Sequence, residues 1–183
     1  MPRDNPRLGI SRIEIDTDRK DNMATVVTVR EQALIPASVE RVWEVVSATN
    51  RYAEWADAVL EVTEHHGTAT VGKTYSERNV TLGPLTTRSI WTVQEIVPQR
   101  LRVDTGTGFE PMRDMMNVFE FRPLTDVDGN LLTEMTYQVS YRPGLGAVGR
   151  LIDRIQKPGL RSGMRRSMRN LSDLLIAESA PGE

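Results

Sequence analysis

The order of hydrophobic periods constrains the fold of this chain more than any other feature. A short helical stretch at about 38–56 precedes alternating, strand-like segments at about 58–142, and one amphipathic helix at about 145–178 follows them. Consecutive strands joined by short turns pair antiparallel, because parallel pairing needs a long crossover. The last helix would be about 50 Å long and can bury its apolar stripe only by lying across the sheet. We therefore expect an α+β fold in which a curved antiparallel sheet wraps around a long C-terminal helix.

Turn residues set the expected limits of the elements. The pattern predicts a first strand from Ala24 to Ile35, an N-cap of the first helix at Ser38, and a second short helix that begins at Asn50. Pro158-Gly159 interrupts the apolar stripe of the last helix, so a kink or a break is expected there. Between the helices, Gly, Pro and Asp-Gly turns separate predicted strands at 58–65, 72–82, 86–97, 100–106, 115–123 and 131–142.

Length and composition indicate one globular domain. The chain has 183 residues, which suffice for one sizeable core over 23–178, with an N-terminal extension at 1–22 and a tail at 179–183. The absence of cysteine excludes disulfides and thiolate catalysis. The net charge of −2 gives no overall positive potential that would attract nucleic acid. Neither a signal peptide nor a membrane span is evident. A cytoplasmic location is the expectation.

Three motifs carry a resemblance to a known family. Residues 35–43 read Ile-Pro-Ala-Ser-Val-Glu-Arg-Val-Trp, residues 50–55 hold a Tyr-x-x-Trp pair, and residues 93–101 read Val-Gln-Glu-Ile-Val-Pro-Gln-Arg-Leu. Over residues 24–178 the chain resembles the START/Bet v 1-like (SRPBCC) superfamily, most of all its polyketide cyclase/dehydrase and lipid-transport proteins. The resemblance implies a helix-grip fold of order β-α-α-β6-α with a deep, mostly apolar cavity between the sheet and the last helix. It also implies lipids, sterols, polyketides, plant hormones or other aromatic or isoprenoid compounds as ligands, with cyclisation or dehydration in some members.

Aromatic and methionine side chains are the candidate lining of that cavity. Tyrosine combines an apolar ring with a hydroxyl that needs a partner when buried, and methionine adapts to irregular shapes. Ordinary packing in a filled core is the alternative for each residue. The candidate ligand-binding residues are Trp55, Tyr75, Trp91, Val93, Phe109, Met112, Met115, Phe119, Met135, Tyr137, Tyr141, Ile152, Met164 and Met168. The segments 106–112 and 143–149 are the candidate entrance.

Three other sequence features are not expected to form a cofactor, metal or catalytic site. The Gly-x-Gly-x-x-Gly pattern at 144–149 lacks the parallel strand that a dinucleotide site requires, so no cofactor is expected. His65-His66 lies beside a glycine at a predicted hairpin end, where neighbouring strand residues face opposite ways, and no metal site is expected. Glu120 and Glu134 are out of phase with the aromatic residues and are expected to face solvent.

The last helix is basic on the side opposite its apolar stripe. Within residues 150–169 a single acid, Asp153, accompanies seven basic residues. A solvated outer face explains this pattern, and docking on anionic lipid is the alternative. Nucleic acid is not expected, because no aromatic residues are interleaved with the basic ones. The basic residues are Arg150, Arg154, Lys157, Arg161, Arg165, Arg166 and Arg169.

Three functions remain open from the sequence. The first is a carrier or sensor of a hydrophobic small molecule, since no catalytic set can be assembled and the catalytic residues are unknown. The second is a polyketide aromatase/cyclase or dehydratase, with Tyr75, Tyr137 or Tyr141 acting alongside Arg88 or Arg113 if either arginine points inward. The third is an adaptor that docks on anionic lipid through the basic helix. A monomer and a homodimer are both compatible with the sequence.

Overall fold

The structure, a computed structural model, describes residues 26–82 and 85–179. Its elements follow the predicted order of one strand, two short helices, six strands and one long helix. The α+β helix-grip arrangement is therefore confirmed. The strands are β1 (Val27–Ile35), β2 (Val59–Glu64), β3 (Thr74–Leu82), β4 (Leu85–Val97), β5 (Leu101–Thr107), β6 (Met112–Thr125) and β7 (Leu131–Pro143). The helices are α1 (Val39–Ser47), α2 (Tyr52–Trp55) and α3 (Gly146–Ser179), with a 3-10 turn at Thr49–Arg51 before α2.

All seven strands form one antiparallel sheet in the order β1-β7-β6-β5-β4-β3-β2. Strands β2 to β7 are joined in sequence, each beside the next, as short turns require. Strand β1 closes the order by pairing with β7, with Val29 opposite Val139. The first and last strands of the domain are therefore neighbours, and β5 lies in the interior of the sheet with partners on both sides.

Local chemistry explains the first helix. Ser38 is its N-cap, and its Oγ accepts a hydrogen bond from the Arg41 backbone N–H at 3.5 Å. Val42, Val45 and Val46 are fully buried, which is the helical spacing that packs one face on the core. The cap predicted from the sequence is confirmed.

The sequence predicted a kink or a break at Pro158, and the break is absent because helix α3 continues through this residue. Proline removes one backbone hydrogen bond, and packing over the rest of the helix stabilises the helical path. Beyond Pro158, the side chains of Met164, Met168, Leu171 and Leu175 are all buried against the sheet and the short helices.

The interior holds two clusters of buried side chains. The main core lies under α1 and α2 and includes Val42, Trp55, Phe119 and Leu171. The second core lies between the sheet and α3 and is made by Val29, Ala69, Tyr75, Trp91, Val93, Met115, Val139, Tyr141 and Met164. Within the described residues, no helix has the length and apolar character of a membrane span.

Candidate functional site

The inner face of β3, β4 and β5 carries polar side chains. Tyr75 packs in the second core with Met164 of α3, so its face of β3 is the one turned towards the helix. Residues two and four positions further on share that face, because strand side chains alternate. The resulting polar cluster consists of Tyr75, Glu77, Asn79, Ser89, Trp91, Arg102 and Asp104, and each of these residues is at most 6% exposed.

A fully buried ion pair lies at the centre of the polar cluster. Arg102 donates from Nε to Asp104 Oδ1 at 3.1 Å and from Nη2 to Asp104 Oδ2 at 2.6 Å. The Tyr75 hydroxyl donates to the same Oδ2 at 2.7 Å. Arg102 Nη1 donates to the carbonyl oxygen of Val46, in the last turn of α1. Because both charges are satisfied within the protein, this pair joins α1 to the sheet and positions Tyr75.

Glu77 is the second buried acid of the polar cluster, and only one of its two carboxyl oxygens accepts hydrogen bonds. Its Oε2 accepts a hydrogen bond from Trp91 Nε1 at 2.8 Å and one from Ser89 Oγ at 3.4 Å. The Oε1 atom is buried and has no hydrogen-bond partner. Native interiors satisfy nearly all such atoms, so the unpartnered Oε1 needs an explanation and makes Glu77 a candidate contact for a bound molecule.

Burial also changes the acidity of the polar cluster. Desolvation raises the pKa of Glu77 to about 7, although the hydrogen bond from Trp91 and the charge of Arg102 oppose the shift. Burial likewise raises the pKa of the Tyr75 and Tyr137 hydroxyls above the usual tyrosine value. Both tyrosines therefore keep their protons at neutral pH, whereas Glu77 gains and loses its proton there.

The structure divides the sequence-predicted ligand residues between the two cores. Trp55, Phe119, Met135 and Met168 lie in the main core. In this core the ring centroids of Trp55 and Phe119 are 6.0 Å apart. Tyr137 is partly buried and packs against both cores. The second core brings together Tyr75, Trp91, Val93, Met115, Tyr141 and Met164, with Phe109 and Met112 packed against it. The side chain of Ile152 lies outside the described part of the chain.

The two predicted entrance segments contact each other beside the second core. The Gly144 N–H donates to the carbonyl oxygen of Pro111 at 2.9 Å. The Phe109 ring packs against the Trp91 ring at an interplanar angle of 58°, with 5.2 Å between the ring centroids. The end of β5 passes directly beneath these rings, since a Cβ atom on Gly106 would lie 2.7 Å from the Trp91 ring. Trp91, which binds Glu77, thus also contacts the segment proposed as the entrance.

Sequence reasoning missed the buried charges. It offered Arg88 or Arg113 as the arginine of a catalytic site only on the condition that either pointed inward. Both are exposed, and Arg88 pairs with Glu64 on the outer surface. Arg102 is the inward arginine because it satisfies its charge on Asp104, two residues further along the same face of β5. One signal was available in the sequence: Tyr75 was expected to face inward, and Glu77 shares its parity.

Several surface predictions are confirmed. Glu120 pairs with Arg30 at 2.9 Å and Glu134 pairs with Arg122 at 2.9 Å, so both acids lie on the outer face. His65 and His66 are exposed beyond the end of β2. The Nδ1 of His65 accepts a hydrogen bond from the Gly67 N–H at 3.1 Å, which stabilises this turn.

The basic face of α3 is partly neutralised by the rest of the fold. Arg161 and Arg165 both pair with Glu31 of β1, at 3.6 Å and 2.6 Å. Arg166 pairs with Asp57 at 2.7 Å, just after α2. These contacts attach α3 to the sheet edge and to the short helices, and they reduce the charge that this face presents to an anionic surface.

Comparison with known proteins places this geometry in a family. The family described as polyketide cyclase/dehydrase and lipid transport matches residues 26–175. A search of curated proteins gave no match.

Solved structures share the fold at low sequence identity. Protein CV1439 from Chromobacterium violaceum is 21% identical with a TM-score of 0.63, over 81% of this chain and 96% of that one. TTHA0849 from Thermus thermophilus is 16% identical with a TM-score of 0.65, over 84% of this chain and all (100%) of that one. Ms6760 from Mycobacterium smegmatis is 20% identical with a TM-score of 0.58, over 82% and 92% of the two chains.

The family match extends from β1 into the last turns of α3 and so includes the strands that hold the polar cluster. A hydrophobic small molecule is the kind of ligand that suits this family. The protein belongs to the polyketide cyclase/dehydrase and lipid transport family.

Proposed function

We propose that this protein binds a hydrophobic small molecule between the inner face of the sheet and α3, as a carrier or sensor. The observation that carries the proposal is the unpartnered Oε1 of Glu77, buried beside the aromatic rings of the second core. A solid core would leave that oxygen without compensation, at a cost of about 1–3 kcal/mol. A guest molecule that supplies a polar group removes this cost, while the surrounding rings and methionines contact its apolar part.

An enzyme of the cyclase or dehydratase kind is the second candidate, and one observation favours it. Glu77 is 2% exposed, and this burial raises the pKa of its carboxyl group to about 7, the range in which the group can both give and take a proton at neutral pH. The tyrosines predicted for this role fit it less well. The Tyr75 hydroxyl already donates its hydrogen bond to Asp104, and burial raises the pKa of this hydroxyl above the usual tyrosine value.

Docking of α3 on anionic lipid has weaker support than either. Arg161, Arg165 and Arg166 are engaged with acids of the same chain. Liposomes of anionic composition test this alternative, and binding that disappears on charge reversal at Arg165 and Arg169 would favour it over ligand carriage.

Native mass spectrometry of the purified protein tests the proposed function. We expect an additional mass that is released by organic solvent, and a rise in melting temperature when extracted protein is mixed with lipids or aromatic polyketides. Protein that is always empty and shows no thermal shift across such a panel would contradict the proposal.

Two substitutions on α3 provide a matched pair for this test. Leu160 is partly buried against the second core, whereas Ile176 is 53% exposed on the same helix. Leu160→Trp should fill space next to the second core and abolish the bound mass, and Ile176→Trp should leave it unchanged. Circular dichroism checks that both variants are folded, and equal retention of ligand by the two would place the ligand elsewhere.

A further inference from the structure

The two oxygens of the Glu77 carboxyl group have different environments. Oε2 faces two donors, since the indole N–H of Trp91 can only donate and the Ser89 hydroxyl points its proton at the same atom. Asn79 fixes that orientation of Ser89, because its Nδ2 donates to Ser89 Oγ at 2.7 Å and uses one acceptor position of the hydroxyl. A proton on Oε2 would oppose the Trp91 N–H, so a neutral Glu77 carries its proton on Oε1.

Burial favours that neutral form, although the positive charge of Arg102 opposes it. Arg102 is the buried cation of the polar cluster, and its Nε and Nη2 are both bound to Asp104. Tyr75 of β3, Tyr137 of β7 and Tyr52 of α2 are the other titratable groups that interact with Glu77, and burial raises the pKa of all three. They are therefore uncharged at neutral pH. An ionised Glu77 would add a second buried negative charge, and among the described residues no buried cation other than Arg102 is present to balance it. Desolvation therefore opposes this ionisation.

We propose that Glu77 recognises an acceptor oxygen of the ligand, a ketone or an equivalent carbonyl, by donating a hydrogen bond from its protonated Oε1. This inference rests on the proposed function and specifies the chemistry of the ligand. Trp91 and Ser89 hold the carboxyl group from the other side, so the donor is fixed before the ligand arrives. A ligand alcohol would meet the same donor less well, because its own hydroxyl proton would need a further buried acceptor.

Proton-linked affinity follows from this arrangement. A carbonyl binds the protonated carboxyl group only, so binding is strongest below the pKa of Glu77, about 7. Above that pKa the dissociation constant should rise about tenfold per pH unit, because the proton must first be taken up. A ligand that donates to an ionised carboxylate would show the opposite slope.

Three probes with one carbon skeleton test the inference: methyl naphthyl ketone, the corresponding naphthyl alcohol and ethylnaphthalene. Their affinities are measured by isothermal titration at about pH 6 and about pH 8.5. The ketone should bind best at the lower pH and weaken about tenfold or more at the higher one. The hydrocarbon should bind equally at both values, since it makes no hydrogen bond.

Glu77→Gln is the informative variant. Its amide oxygen would accept from Trp91, which forces the amide NH2 into the place of Oε1, where it donates to the ketone at any pH. The variant should therefore bind the ketone without pH dependence and more tightly than the natural protein at about pH 8.5. Glu64→Gln is the matched control at an exposed carboxylate, and it should retain the natural pH dependence.

The outcomes separate the inference from the proposed function. Equal affinity for the ketone and the hydrocarbon, or ketone binding that strengthens with pH, would overturn the inference and leave the binding of hydrophobic molecules intact. Loss of ketone binding in Glu77→Gln at about pH 6 would also overturn it. If none of the probes binds and the purified protein is also empty by native mass spectrometry, the proposed function fails and the inference fails with it.

Discussion

At the residue scale, Glu77 couples the stability of the fold to pH. Its pKa rises from an ordinary 4.5 when unfolded to about 7 when folded. The folded state thus holds the proton more firmly. The contribution of this proton to the free energy of unfolding is therefore fully present below about pH 4.5, and it is lost as the pH rises through about 7.

The variant Glu77→Gln removes this titration while keeping the shape of the side chain. We expect its free energy of unfolding to exceed that of the natural protein by about 2–3 kcal/mol at pH 8, with a much smaller difference near pH 5. Urea denaturation at the two pH values measures both quantities. A difference between the two proteins that does not change with pH would show that Glu77 titrates alike in the folded and unfolded chains.

The buried Arg102–Asp104 pair should be far more important for stability than an exposed pair of the same geometry. Arg102→Met leaves Asp104 buried without a cation, which we expect to reduce the free energy of unfolding by about 3–5 kcal/mol. Arg122 also binds its acid, Glu134, through Nε and Nη2, but its side chain is 65% exposed. Arg122→Met should reduce stability by at most about 1 kcal/mol. Similar losses in chemical denaturation would mean that Asp104 finds another partner.

At the scale of elements, the end of β5 depends on a close approach between backbone and ring. A Cβ atom on Gly106 would lie 2.7 Å from the Trp91 ring and 3.0 Å from Phe109. Gly106→Ala should therefore displace these rings, lower stability by about 1–3 kcal/mol and change the tryptophan fluorescence. Gly159→Ala is the control, because nothing lies within 4 Å of its Cβ position in α3. It should raise stability by about 0.5–1 kcal/mol, and a Gly106→Ala variant with natural stability and fluorescence would contradict the packing described for Trp91.

The limits of the elements followed from the sequence where turn chemistry is strong. The turns at Pro98 and at Asp128-Gly129 separate β4 from β5 and β6 from β7 close to the expected positions. Strand β6 begins at Met112, three residues before the predicted start at 115. The prediction missed these residues because their burial does not alternate. Asp114 has a positive φ of 51°, and the pairing with β7 shifts between Arg113 and Met116. Such a bulge hides the strand from a period-two pattern.

At the scale of the whole molecule, the sequence predicted the architecture but not the character of the inner face. Antiparallel pairing and a long closing helix follow from the order of periods, whereas alternation alone does not tell which face of a strand is buried. In β5, hydrophobicity favours Leu101 and Val103 inside, yet these are half-buried, and Arg102 and Asp104 are the inward residues. Their burial depends on partners in α1 and β3, which are distant in the chain and invisible to local patterns.

The interior is therefore a wall of rings and methionines with one oriented polar cluster, rather than a uniformly apolar surface. A crystal structure of the complex with methyl naphthyl ketone would test most directly whether a ligand binds at Glu77. We expect the naphthyl ring between the sheet and α3, with the ketone oxygen about 2.5–3.0 Å from Glu77 Oε1. Ketone density confined to the outer surface, with the side chains of the second core closed around an unpartnered Glu77, would contradict it.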